Sequence, residues 1–335
     1  MYHVRFKGNH YEIGFRWGSL LAKHGKIILD YIPFPITEKR MEFANQCLPV
    51  YQEYFPQIVM EIQGLSDGQK CSVEQLQAVL FSMYAIPPAC SCSCFAVANG
   101  EHILVGRNSD FLTELEKDNK NVIYQFSSNS YSFTGNTTSF IQMEDGVNEK
   151  GLAIGLTSVY PPSIQPGMNA GLLLRFFLEK CQTVEEVIQW TEKLPISSAQ
   201  TFTVADSIGD IAVLECCTDS LQVMRPISDA PYVCATNLFH SDKLASKNLP
   251  DIDSWEAEPR YQTMVQTLEH KATQMGPEDA KELLAGKSGF LCQYDRETGK
   301  DTVWSVVYDL KNHRIYRAEG NPSHCSFRED NRFLF

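Results

Sequence analysis

The chain of 335 residues exceeds the size at which a single hydrophobic core usually stops growing, so it holds one large layered domain or two ordinary ones. With 43% hydrophobic, 11% aromatic and 21% charged residues it has a globular composition, which excludes disordered and fibrous classes. Asp and Glu outnumber Lys and Arg 41 to 29, a balance that repels phosphate backbones and anionic membranes, so neither nucleic acid nor membrane is an expected partner.

The start, from Met1 to Phe15, has no apolar run of signal-peptide type, and no later apolar stretch reaches the roughly 18 residues that span a bilayer. A soluble, cytoplasmic protein is expected. The first third reads as helical. His10 to Tyr31 sets Ile13, Trp17, Leu20 and Leu21 at helical spacing, and a second periodic stretch runs from Thr37 to Gly64. Ser72 with Gln75 three residues on opens a third helix, expected to stop at Pro87-Pro88. From Cys92 the pattern turns to strands: 94–97, 102–108, 121–128 and 139–143, then 152–159 after a turn over 146–151. Two helices come next, 170–181 and 184–194, the second capped by Thr183 with Glu186. Strands resume at 201–206, 211–217, 221–226 and 232–237, helices return at 258–272 and 277–286, and strands at 302–310 and 313–320 close the chain. Blocks of helices between blocks of hairpin-like strands do not make a doubly wound parallel sheet. They fit two antiparallel sheets with helices on both outer faces.

The eleven cysteines do not form a regular disulfide framework, so most are expected to be reduced and buried. Cys90, Cys92 and Cys94 fall on alternate positions, and in a strand all three point to one face. A soft metal is one reading, but no CxxC, HExxH or partnered His cluster completes a ligand set. Small buried apolar side chains are another. The third comes from the neighbouring strand: it ends in Gly106-Arg107-Asn108-Ser109-Asp110, and a hairpin closing through Asn99-Gly100 brings Arg107 and Asp110 back beside the cysteines. One hairpin then supplies thiol, cation and carboxylate.

With Cys92-Ser93-Cys94-Phe95 succeeded by Gly106-Arg107-Asn108-Ser109-Asp110, the chain resembles the choloylglycine hydrolase and penicillin acyltransferase group of N-terminal nucleophile hydrolases. The resemblance extends to Gly8–Gly18, Glu61–Gly68, Asn148-Glu149-Lys150-Gly151-Leu152, Ala235-Thr236-Asn237, Trp304–Asp309 and Glu319-Gly320-Asn321-Pro322. It implies an α+β, four-layer αββα sandwich, and a precursor that cuts itself between Ser91 and Cys92. Residues 1–91 would then be a helical pro-segment packed on the core and 92–335 the catalytic region, together one compact domain.

Such a cut creates a base beside the nucleophile, because a free α-amine (pKa about 7.7–8.0) takes the proton of a thiol (about 8.5) at little cost and no histidine is required. The resemblance implies Cys92 as nucleophile, favoured over the rivals Cys90 and Cys94 by its spacing to Gly106 and by the following Ser93 and Phe95, with Asn237 as oxyanion donor, Asp110 holding the new ammonium or orienting the substrate amine, and Arg107 favouring the thiolate. Arg260 matches an active-site arginine of bile-salt hydrolases, although a solvated helix-surface position fits the residues equally well. Asn148 and Ser158 are supporting or substrate-binding candidates, Asn148 more as a shaper of its own turn. The chain has Thr157-Ser158 where bile-salt hydrolases place a second asparagine, Gln293 where related acyltransferases have a basic residue, and Ser91 where glycine is common. Tyr160 and Phe239 serve either an apolar substrate pocket or the core.

The implied activity is that of a hydrolase or acyltransferase: cleavage of a linear amide through a cysteine acyl-enzyme, the acyl group passing to water or to another acceptor, with a small-molecule amide or acyl substrate and neither metal nor organic cofactor. The alternatives are a bile-salt-type hydrolase, a catalytically inactive relative that binds ligands, and a thiol metal-binding or redox protein. Homo-oligomerisation stays open.

Overall fold

A computed structural model describes residues 1–86, 91–127, 129–227 and 230–335. In chain order the elements are β1 (Tyr2–Gly8), α1 (His10–Lys23), α2 (Glu38–Tyr54), α3 (Pro56–Gln69), α4 (Val73–Ser82), β2 (Ser91–Ala98), β3 (Ile103–Leu112), β4 (Lys120–Phe126), β5 (Phe133–Thr137), β6 (Asp145–Asn148) and β7 (Ala153–Ser158). Then come α5 (Ala170–Lys180), α6 (Val184–Lys193), β8 (Gln200–Ala205), β9 (Ile211–Cys217), β10 (Ser220–Met224), β11 (Tyr232–Ala235), α7 (Ala257–Lys271), α8 (Pro277–Leu284), β12 (Lys300–Asp309), β13 (Arg314–Ala318) and β14 (Arg328–Glu329).

Eight strands form one sheet in the order β1-β4-β5-β6-β7-β8-β9-β10, and six form a second in the order β11-β2-β3-β12-β13-β14. All neighbours are antiparallel except β1 and β4. Strand alternation sorts the side chains into layers. Cys94, Ala96, Val105, Val147, Val213 and Val306 fill the space between the sheets. Phe95, Val97 and Leu104 point the other way, against Met264 and Leu268 of α7 and Leu283 of α8. The far face of the eight-stranded sheet is covered by α1 to α6. The result is the expected four-layer αββα sandwich.

Four expectations fail locally, one of them the turn read over 146–151, which begins inside β6 because 146–148 pair with β5 and β7. The first third is not all helical: β1 pairs in parallel with β4. It is an edge strand of which only Phe6 is buried, so it carries almost no alternating signal. Residues 139–143 are not a strand, because the chain there bonds to helix partners instead: Met143 N donates to Gly171 O, and Arg175 donates to Ile141 O. The strand is β5, just before. The helix read over 10–31 stops at Lys23, with a short 3₁₀ turn at Ile28–Tyr31. Ser72 caps α4 as expected, accepting from Gln75 N, but the Pro87-Pro88 stop lies outside the described residues.

One feature joins the N-terminal helices to each other and a second ties them to the rest. α1 and α3 cross at glycines: a β-carbon on Gly14 would stand 2.0 Å from Glu61 O, and one on Gly64 2.2 Å from Tyr11 O. Beneath the crossing runs a buried ionic chain. His10 Nε2 lies 2.8 Å from Glu179, Arg175 donates to Glu179 at 2.9 Å, and Arg175 also reaches Glu61 at 2.9 Å. Among the described residues no helix is long and apolar enough to cross a membrane.

Candidate active site

β2 and β3 pair with Cys92 opposite Ser109 and Cys94 opposite Arg107. The connection is a four-residue loop, Asn99 to His102, rather than a two-residue turn. Asn99 Oδ1 accepts from the backbone of Glu101 and His102, and Gly100 takes the left-handed φ of +87° that the loop requires. Alternation gives this hairpin two faces. Cys92, Cys94, Arg107 and Ser109 look toward the other sheet; Ser93, Asn108 and Asp110 look toward α7 and α8. Cys90 lies outside the described residues.

On the inter-sheet face, Arg107 is fully buried and spends each nitrogen on a separate partner. Nη2 donates to Cys92 Sγ at 2.7 Å, Nη1 to Asp145 Oδ2 at 3.1 Å, and Nε to Leu156 O at 3.0 Å, with Glu144 3.6 Å from Nη2. Asp145 in turn accepts from Trp304 Nε1, Tyr308 OH and Asn136 Nδ2. Burial works against the Arg107 charge, but Cys92, Asp145 and Glu144 outweigh it and raise its pKa. A β-carbon on Gly155 would lie 2.4 Å from Cys94 Sγ and 3.2 Å from Arg107 Cδ, so the glycine leaves room for both. Burial pushes the Cys94 thiol up to about 12 despite Arg107, which leaves it a neutral packing group.

On the opposite face Arg260 enters from α7. It is wholly buried, which rules out the solvated helix-surface position. Nη1 donates to Cys92 O at 2.6 Å and Ser93 Oγ at 2.9 Å, Nη2 to Asn237 Oδ1 at 2.9 Å and Ser254 O at 3.0 Å, and Nε to Trp255 O at 3.0 Å. Its counter-charge is Asp110 at 3.3 Å. Asp110 also accepts from Thr302 Oγ1 at 2.6 Å and Tyr294 OH at 3.0 Å. Burial raises its pKa, with Arg260 as the largest pull the other way.

Asn237 lies just past β11. Its Oδ1 accepts from Cys92 N at 2.8 Å as well as from Arg260, and these two donors fix which way the amide faces. One Nδ2 hydrogen therefore goes to Ser158 O, at 2.7 Å. The other is available to a cleft that Asn237 lines together with Ser91, Ser158, Tyr160, Asp251 and Asp253.

Thus Cys92, Arg107, Asp110, Asn237 and Arg260 converge, with Ser158 at the cleft. Asn148 does not join them: at the β6–β7 turn it accepts from Lys150 N and Leu152 N and donates to Leu178 O and Cys181 O. Tyr160 faces the cleft, whereas Phe239 packs into a small core with Val159 and Leu244. Gln293 braces its own loop through Gly286 O and Gly289 O. Sequence reasoning missed Glu144, Asp145 and Tyr294. The first two directly precede the Gly146–Leu152 motif; Tyr294 carries no local signal. Among the described residues no group of His, Cys, Asp and Glu is placed to hold a metal ion.

The sequence model of the family described as acyl-coenzyme A:6-aminopenicillanic acid acyl-transferase matches residues 97–324, more than half of the chain. A curated relative, the β-alanyl-dopamine/carcinine hydrolase of Drosophila melanogaster, is 27% identical over 126 residues, so the match spans only 32% of this chain and 33% of that protein. Among solved structures, a mutant form of the conjugated bile acid hydrolase of Clostridium perfringens superposes with a TM-score of 0.51 at 15% identity, over 72% of this chain and 93% of that one, and shows the same fold. The penicillin V acylase of Agrobacterium tumefaciens has a TM-score of 0.49 at 16% identity, over 68% of this chain and 82% of that one.

Proposed function

Because the chain belongs to the acyl-coenzyme A:6-aminopenicillanic acid acyl-transferase family, we propose that it is an amide-cleaving enzyme whose nucleophile is Cys92, exposed as an N-terminus by self-cleavage. The observation that carries this reading is the grip on one residue: Arg107 on its sulfur, Asn237 on its nitrogen and Arg260 on its carbonyl oxygen.

In the maturation step Cys92 Sγ attacks the Ser91 carbonyl carbon, the C–N bond breaks, and the released nitrogen takes the thiol proton. Water then hydrolyses the thioester, leaving a carboxylate on Ser91 and an α-amine on Cys92. The positive charge of Arg107 favours the attacking thiolate. In turnover the new amine accepts the thiol proton, the sulfur attacks the substrate amide, and the amine returns the proton to the leaving nitrogen. The second Nδ2 hydrogen of Asn237 meets the developing oxyanion. Residues 1–91 remain bound after the cut, held by the pairing of β1 with β4 and by the buried chain through Glu61, Arg175, Glu179 and His10.

The cleft carries Asp251 and Asp253, the latter paired with Lys300, and no Lys, Arg or His among its described lining residues. That lining disfavours coenzyme A phosphates and anionic amides, so water is the acceptor and the substrate is a neutral or amine-bearing linear amide. The fly relative's β-alanyl-dopamine is of the second kind. No metal or organic cofactor, nucleic acid or membrane is required. The test is intact mass spectrometry of the purified protein beside Cys92→Ala. Wild type should yield a chain beginning at Cys92 that carries an acyl adduct after substrate, and the variant should stay whole. A wild type that never shows that chain would overturn the reading.

A further inference from the structure

Tyr294 lies between α8 and β12, and the chemistry above makes no use of it. Its ring packs edge-on against Trp255 and Phe290, with centroids 5.9 and 5.4 Å away. Its hydroxyl lies 3.0 Å from Asp110 Oδ2 and 3.2 Å from Trp255 O. The carboxylate is both the nearer acceptor and the charged one, so the single hydroxyl proton goes to it. Trp255 and Glu256 sit at φ +52° and +57°, two consecutive left-handed residues that persist only when their surroundings hold them. The residue before them, Ser254, lines the cleft.

Building on the acyl-transfer reading, we propose that Tyr294 is a positioning residue: its hydroxyl holds Asp110 ionised and facing Arg260, and its ring pins the turn that walls the cleft. The effect reaches the nucleophile through Arg260, which bonds both Cys92 O and Asn237. Asp110 is faced by Arg260 from α7, Thr302 on β12, and Tyr294 and Cys292 from the segment between α8 and β12, while the charge of Arg107 acts from the other face of its own strand. Burial disfavours the carboxylate, and the cations and the two hydroxyls oppose that. Deleting one hydroxyl lets the carboxyl take up a proton at higher pH.

The probe is the chain's own Ser91–Cys92 bond, so no substrate need be known. Protein made by cell-free translation is chased at a series of pH values, and the chain beginning at Cys92 is quantified by mass spectrometry. Tyr294→Phe keeps the ring packing. It should slow cleavage roughly ten- to a hundredfold, the worth of one hydrogen bond to a charged group. The acid limb of its rate profile should move up by about one pH unit. Tyr294→His, which keeps a ring N–H donor, should recover part of the rate, and it supplies the reading by itself if the Phe variant fails to fold. An unmoved acid limb, or a histidine variant as slow as the phenylalanine one, would reduce Tyr294 to packing and overturn the proposal. A wild type that never cleaves removes the acyl-transfer reading instead, and the proposal falls with it.

Discussion

Replacing Arg107 by methionine tests the centre of the site, because it preserves length and much of the volume while removing the charge beside sulfur. Two effects are expected, and the geometry sets the size of each. Two unit charges about 4 Å apart at an effective dielectric near 20 attract by about 4 kcal/mol. The 2.7 Å contact between Nη2 and Cys92 Sγ thus supports up to about three decades in thiolate-dependent rate. The second effect is on stability: Asp145 and Glu144 lose the buried cation between them, and stranding such charges costs about 3–5 kcal/mol. Asp145 keeps Trp304, Tyr308 and Asn136 as donors, which places the cost toward the lower end. Urea unfolding gives the second number, and the rate at which the chain beginning at Cys92 appears gives the first. A folded Arg107→Met protein that matures within about threefold of wild type, less than 1 kcal/mol of barrier, would refute the role given to the cation.

Other expectations can be checked with the same protein. Cys92→Ser should retain the fold and process far more slowly than wild type, and Cys92→Ala not at all, on a denaturing gel. Gly64→Ala should destabilise by about 1–3 kcal/mol in denaturant titration, since the new β-carbon meets the backbone oxygen of Tyr11, which cannot swing aside. Acid should release residues 1–91 from the processed protein. His10 and Arg175 overcome burial and hold the Glu179 carboxyl at about 2 instead of 4.5, so its contribution is complete above pH 4.5 and lost as pH falls toward 2. Size-exclusion chromatography across that window should show the two pieces part. Asp251→Lys should lower KM for an anionic amide and raise it for an amine-bearing one by about fivefold, the worth of one exposed charge pair; equal KM changes for both would show that the cleft charge does not select.

How far each residue could be read from the sequence depends on how far it sits from its partners along the chain. Cys92, Arg107 and Asp110 belong to one hairpin, where period-two alternation and a turn suffice to bring them together, though not to say that Arg107 and Asp110 end on opposite faces. Asn237 and Arg260 were legible only through resemblance, because they reach Cys92 across 145 and 168 residues. Arg260 shows the limit well: residue type favoured solvent, and burial was settled by the strand it packs on.

The sequence by itself determined most of the succession of helix and strand blocks, the two-sheet architecture with helices outside and the hairpin that carries the thiol, since these rest on periodicity and turn chemistry within a few residues. Only the tertiary structure decided that Asp145 and Glu144 brace Arg107, that Tyr294 meets Asp110, that β1 joins the sheet edge in parallel, and that residues 139–143 bond to a helix instead of a strand. Those outcomes depend on which distant groups satisfy buried charges and backbone hydrogen bonds, and that is fixed only when the layers close on one another.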